Sequence, residues 1–260
     1  MQIEEVRRLL ADRLGGGPRP PSPEAAREAI ARLARPDTLG PLVRRLSAGD
    51  QDLAGCTRLS YRHVLGFDKL LLLGGAPRYM LRVHFWHGGT APAPEDIHNH
   101  RCAIASAVVR GRVRMECYEP VADERVTDAA PRTAAPGAAA PGAGVPAIAY
   151  RETIDGPGGA WRLRRVGEAR LRLVRDERHA AGSSYGLDAR ALHRVVSEEP
   201  TVTLFLETAA QRTVTDVYVR TDAPVRNGGG AGRPDPPPKT PLPPAAYLAE
   251  LDALARTLGY

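Results

Sequence analysis

The chain has 260 residues, 43% of them hydrophobic, and a net charge of +6, enough for one large domain with its own core. The cations are nearly all Arg, interspersed with acids, and aromatics make up only 5%, which argues against a nucleic-acid partner. No apolar run approaches the roughly 18 residues of a membrane span, so no membrane partner is expected.

The first element reads as a helix: Ile3, Val6, Leu9, Leu10 and Leu14 fall at helical spacing and Gly15-Gly16-Gly17-Pro18 ends it. The same opening stretch is charged and lacks the apolar core and cleavage site of a secretory signal, so a cytoplasmic location is expected. Ser22 reads as an N-cap with Pro23 at the first helical position, opening a second helix that ends before Pro36. A short third helix is expected over Leu39 to Leu46. Together these make an N-terminal helical segment, residues 1–50, that covers one side of a sheet.

The pattern then becomes strand-like. Residues 61–74 end in an apolar run, with Asp68 and Lys69 as a candidate ion pair at its start. Met80, Arg82, His84 and Trp86 alternate with Leu81, Val83 and Phe85, a strand signature. Residues 102–119 read as two strands about a turn at Gly111, a pattern that suits a hairpin. Residues 121–148, rich in Ala, Pro and Gly, are expected to be a flexible insertion within the domain. Further strands are expected at 148–154, 160–166, 169–182, 191–199, 201–208 and 213–220. Many short strands separated by turns indicate a mainly β sandwich or barrel over residues 60–220. Residues 221–244 form a Pro/Gly-rich linker, and 245–260 an amphipathic C-terminal helix that docks back or mediates self-association.

Seven histidines are present: His63, His84, His87, His98, His100, His179 and His193. His98 and His100 form a His-x-His pair, which on a strand points to one face. Two imidazoles can begin a site for Fe, Zn, Cu or Ni, but a third ligand must come from another strand. His193, at the start of an apolar strand, is the leading candidate; His179 and His84 are its competitors. Cys56, Cys102 and Cys117 are odd in number and form no CxxC, so neither a disulfide framework nor a zinc ribbon is expected.

Residues 95–111, EDIHNHRCAIASAVVRG, resemble the first motif of the cupin superfamily, whose barrel is a double-stranded β-helix. His98, His100 and Gly111 match; Ile104 stands where that motif carries its ligand Glu. The second motif is matched by His193, with Asp188, Arg190 and Ser197 in place of its Pro, Gly and Asn. Three histidines without a carboxylate are similar to the ligand set of cysteine (thiol) dioxygenase-like cupins, although Ala105 occupies the position of their crosslinked cysteine. Stretches such as YRHVLGFDKLLL and LRVHFWHGG are similar to bacterial cupin-like proteins of unassigned activity.

The resemblance implies a cupin-type barrel with N-terminal helices and a C-terminal helix, and a mononuclear metal site. The leading expectation is an Fe(II)-dependent dioxygenase or other oxygenase that takes O2 and a small polar metabolite. The alternatives are a non-redox isomerase or lyase using Zn, Ni or Mn, and a non-catalytic barrel that binds a small ligand. A homodimer is a possible assembly by the same resemblance. Tyr185 and Arg101 are candidate catalytic groups, one as a proton or hydrogen-bond donor, the other as a clamp for a substrate carboxylate. Arg82, His84, Trp86, Cys102 and Glu207 are candidate pocket residues, Glu207 also as a partner for a ligand imidazole. Cys102 reads more readily as a small buried hydrophobe than as a thiolate.

Overall fold

A computed structural model describes residues 2–15, 20–50, 52–63, 67–87, 95–121, 144–154, 161–222 and 240–260. Most of the expected insertion (122–143) and most of the expected linker (223–239) lie outside the described residues.

Four helices come first: α1 (Ile3–Leu14), α2 (Pro23–Leu33), α3 (Pro36–Ser47) and α4 (Leu53–Arg58). Ser22 Oγ caps α2 by accepting from the Ala25 N–H at 3.1 Å. The third helix starts at Pro36, three residues before the expected Leu39, because proline fits a first helical turn, where its missing N–H costs nothing. The short helix α4 has no counterpart among the sequence expectations.

The strands are β1 (Tyr61–Arg62), β2 (Phe67–Gly75), β3 (Tyr79–Trp86), β4 (Ile97–His98), β5 (Ile104–Arg110), β6 (Arg112–Pro120), β7 (Val145–Ile154), β8 (Trp161–Ala180), β9 (Ser184–Leu187), β10 (Leu192–Ser197), β11 (Thr201–Thr208), β12 (Thr215–Arg220) and β13 (Thr240–Pro241). A last helix, α5 (Pro244–Thr257), follows. One sheet runs β13-β1-β2-β3-β11-β5-β9 and the other closes on itself as β10-β4-β12-β7-β8-β6. Within these, β3-β11-β5-β9 faces β4-β10-β6-β8, the interleaved strand order of a jelly roll, the architecture that cupins share.

The expected hairpin at Gly111 does not form. β5 pairs with β11 and β9, whereas β6 pairs with β10 and β8, so the chain crosses from one sheet to the other. Gly111 makes that corner with φ 78°, and a Cβ there would lie 2.6 Å from the Pro200 carbonyl oxygen. The two strands expected at 160–166 and 169–182 are one continuous strand, β8. β9 was hidden in a stretch that reads as a turn.

Alternation along the first sheet divides the core in two. Leu81, Val83, Ala105, Ala107, Leu204 and Leu206 face outward and pack under Val6, Leu10, Ile30, Leu33, Leu42 and Leu46 of the helices. Ile104, Val108, Phe205 and Tyr185 face inward against Val113, Met115, Cys117 and Val195 of the second sheet. Helix α5 docks back on the helical side, where Tyr247 is fully buried and its hydroxyl donates to the Leu71 carbonyl at 2.7 Å. Among the described residues, no helix is long and apolar enough to cross a membrane.

Candidate metal centre

His98 on β4 lies directly opposite His193 on β10 in the antiparallel register. Such a pair places its side chains side by side on one face. His100 does not belong to the strand, which ends at His98; it returns to the site through a turn whose backbone is held by Ala189 (His100 N–H to Ala189 O, 3.2 Å). The expected strand alternation therefore does not bring the pair together, yet the rings do converge. Centroids are 5.0 Å apart for His98 and His100, 4.8 Å for His98 and His193, and 5.1 Å for His100 and His193. One ligand nitrogen from each lies within 4.8 Å of the other two. Small ring rotations bring such a set to the roughly 3 Å spacing of nitrogens that share an ion at about 2.1 Å.

The tautomers suit a cation. His98 Nδ1 donates to the Asp96 carbonyl at 2.8 Å and His193 Nδ1 to the Ala191 carbonyl at 3.1 Å. A carbonyl only accepts, so each Nδ1 carries the hydrogen and each Nε2 keeps a lone pair. His100 Nε2 is buried with no hydrogen-bond partner among the described residues. Burial lowers all three pKa values: His193 falls to about 4, aided by His98, and His100 falls well below the ordinary range, aided by both neighbours and Lys69. In His98 burial outweighs the bond to Asp96. Three neutral, inward-facing imidazoles fit a divalent transition ion and leave further coordination positions open.

The competitors for the third place stand elsewhere. His84 stacks on Phe205 at 4.7 Å, and Phe205 separates it from His100 at 6.0 Å. His179 packs against Tyr185 at 4.7 Å.

The other candidates are distributed as follows. Tyr185 is buried inside the barrel, in register with Ser106, and burial pushes its hydroxyl well above the tyrosine range. Arg101 lies in the turn after His100, where its carbonyl accepts from Gln211 N–H at 2.7 Å and Arg212 N–H at 2.9 Å. Trp86 packs on the interior cluster, stacked at 4.0 Å on Phe67. Cys102 is a buried thiol whose pKa is pushed up to about 12 by burial, then by Glu207. Glu207 does not orient a ligand imidazole: its carboxylate pairs with Arg82 at 3.3 Å, and Arg82 also donates to the Leu59 carbonyl at 2.8 Å. Asp68 and Lys69 do not pair either. Asp68 takes Arg62 and His87, both at 2.8 Å, on the helical side, while Lys69 lies over the Phe67 ring.

Sequence reasoning missed Glu95. Its Oε2 accepts from the Val195 N–H at 3.2 Å, two residues from His193 on β10. Burial raises its pKa, opposed first by the charge of Lys69. The one available signal was its place at the head of the EDIHNH stretch.

No family model matches the chain, and no curated protein matches it. Among solved structures it is similar to KdgF from Halomonas sp., at 14% identity and TM-score 0.32, over 58% of this chain and 88% of that one. It is likewise similar to an RmlC-like cupin from Shewanella frigidimarina NCIMB 400, at 12% identity and TM-score 0.30, over 58% and 84%. A third is hydroquinone 1,2-dioxygenase from Sphingomonas sp. TTNP3, at 12% identity and TM-score 0.31, over 54% of this chain and 64% of that one. By its own strand order, the chain folds as a jelly-roll barrel, an architecture that cupins share.

Proposed function

We propose that the barrel holds one divalent transition-metal ion on His98, His100 and His193 and acts as a mononuclear metal enzyme on a small polar metabolite. The observation that carries this reading is the convergence of three neutral imidazoles, His193 buried and His98 and His100 half-buried, two of them with Nδ1 fixed on backbone carbonyls. Among the described residues no carboxylate joins the group. A neutral ligand set would leave such an ion its full charge, which would suit Fe(II) and oxygenase chemistry on a small polar substrate. In this reading Tyr185 offers a hydroxyl proton inside the barrel, and the apolar cluster around Val108, Met115 and Phe205 keeps bulk water out.

A second reading is favoured by Glu95. A half-buried carboxyl with a raised pKa, close to His193, is suited to proton transfer. That is the equipment of a non-redox isomerase or lyase in which Zn, Ni or Mn serves as a Lewis acid.

Metal loading tests both readings. Protein stripped with chelator and reloaded anaerobically is expected to take up about one equivalent per chain. His193→Ala is expected to lose it. Uptake below about a tenth of an equivalent for Fe(II), Zn, Ni and Mn alike sinks the metal-enzyme reading. Substrate-dependent O2 consumption by the Fe(II) form supports the oxygenase; turnover by the Zn form without O2 supports the second reading.

A further inference from the structure

We propose that Lys69 is the anion anchor of this site, its ammonium binding an oxyanion, carboxylate or phosphate, on a small molecule whose other end reaches the three histidines. The proposal rests on the metal reading above and names its substrate class.

The register places Lys69. It lies opposite His84 across β2 and β3, so both side chains share one face of the sheet. That face is the barrel interior: the His84 ring stacks on Phe205, and the Phe205 ring is 6.0 Å from His100. One continuous wall thus runs Lys69, His84, Phe205, His100. Two residues earlier on the same face, Phe67 lies 5.2 Å beneath the ammonium and stacks on Trp86, which gives the cation an aromatic floor. Its neighbour Asp68 points to the opposite face and is engaged by Arg62 and His87.

Among the described residues the Lys69 charge on this wall is held in no ion pair, whereas Arg82 on the same wall is paired with Glu207. Glu95 is a carboxyl that the Lys69 field reaches. The same charge reaches His84, His98 and His100. Three neutral ligands add nothing to offset a bound dication, so metal and ammonium together make the interior strongly attractive to an anion. Two further groups on the wall, Trp86 Nε1 and His84 Nε2, are buried with no hydrogen-bond partner among the described residues. The indole N–H can only donate, and an oxyanion is the acceptor that both it and an ammonium accommodate.

The test uses full-length protein loaded with Zn(II), metal content measured in every sample, and calorimetric titration with malonate, succinate, inorganic phosphate and, as the uncharged control, succinamide. At least one oxyanion is expected to bind and succinamide is not; the carboxylate and phosphate arms identify which oxyanion fits. Lys69→Met and Lys69→Gln are each expected to weaken binding about tenfold or more at unchanged metal content, and Lys69→Arg to stay within about threefold. Oxyanion binding undiminished in both Lys69→Met and Lys69→Gln at full metal content overturns this proposal alone. So does a metal-loaded wild type that binds none of the probes. A wild type that takes up no metal removes the metal reading and this proposal with it.

Discussion

Asn99 stands between His98 and His100 and commits its side chain to β12. Its Nδ2 donates to Asp216 Oδ2 at 3.0 Å, its Oδ1 accepts from the Asp216 N–H at 2.8 Å, and its own N–H donates to the Asp216 carbonyl at 3.1 Å. Burial alone would raise the Asp216 pKa, but hydrogen bonds from Arg212 and Asn99 hold it below the carboxylate range, so the clamp is ionised at neutral pH. This clamp shapes the turn that swings His100 back beside His98, which makes Asn99 a positioning residue. Asn99→Ala is expected to weaken metal binding about 10–100-fold, read by chelator competition, with all three imidazoles intact. Metal affinity unchanged beside lowered stability would give Asn99 a purely structural role. The His-x-His spacing was legible in the sequence, but its geometry was not. The convergence depends on a partner 117 residues away, not on strand alternation. Glu95 and Lys69 were equally out of reach, because only the strand register turns them toward the histidines.

At the scale of elements, the alternating stretch of β3 and the apolar stretches of β2 and β11 announced themselves, because each face of these strands meets a different apolar layer. The β5–β6 corner did not. Two β-branched runs about a glycine have the same local pattern whether they fold on each other or separate into two sheets. The choice is made by β11 and β9 competing for β5, and by β10 and β8 competing for β6. Gly111 is needed in the second outcome for its positive φ and for its close approach to Thr201 and Pro200. Gly111→Ala is therefore expected to lower the unfolding free energy by about 1–3 kcal/mol, measured by urea denaturation. An unchanged midpoint would mean the corner tolerates a side chain. Helix α5 offers a parallel test. Leu251 is fully buried, and Leu251→Ala is expected to cost about 2–5 kcal/mol. A cost near zero would mean that α5 does not dock on the helical face.

At the scale of the whole molecule, the histidine triad ties stability, protons and metal together. A histidine whose folded pKa is depressed is protonated first in the unfolded chain. As pH falls below about 6.5, the unfolded state gains protons that the folded state refuses, so stability falls with pH until the folded groups also titrate. For His193, whose folded value is about 4, this loss spans roughly pH 6.5 to 4 and is on the order of 3 kcal/mol in metal-free protein. Stability of that origin is fully present above pH 7. The same depression governs metal uptake. Three imidazoles of ordinary pKa would be about three-quarters protonated at pH 6 and would release roughly two protons on binding an ion. In this protein His98, His100 and His193 are lowered together, and uptake at pH 6 is expected to release clearly fewer. Calorimetric titration of Zn(II) at pH 6, in two buffers of different ionisation enthalpy, reads the proton count directly. Matching heats after correction for buffer–metal binding fit a triad held neutral by burial. A difference equivalent to about two protons would mean that water reaches the imidazoles, and that the barrel interior around them is neither dry nor preformed.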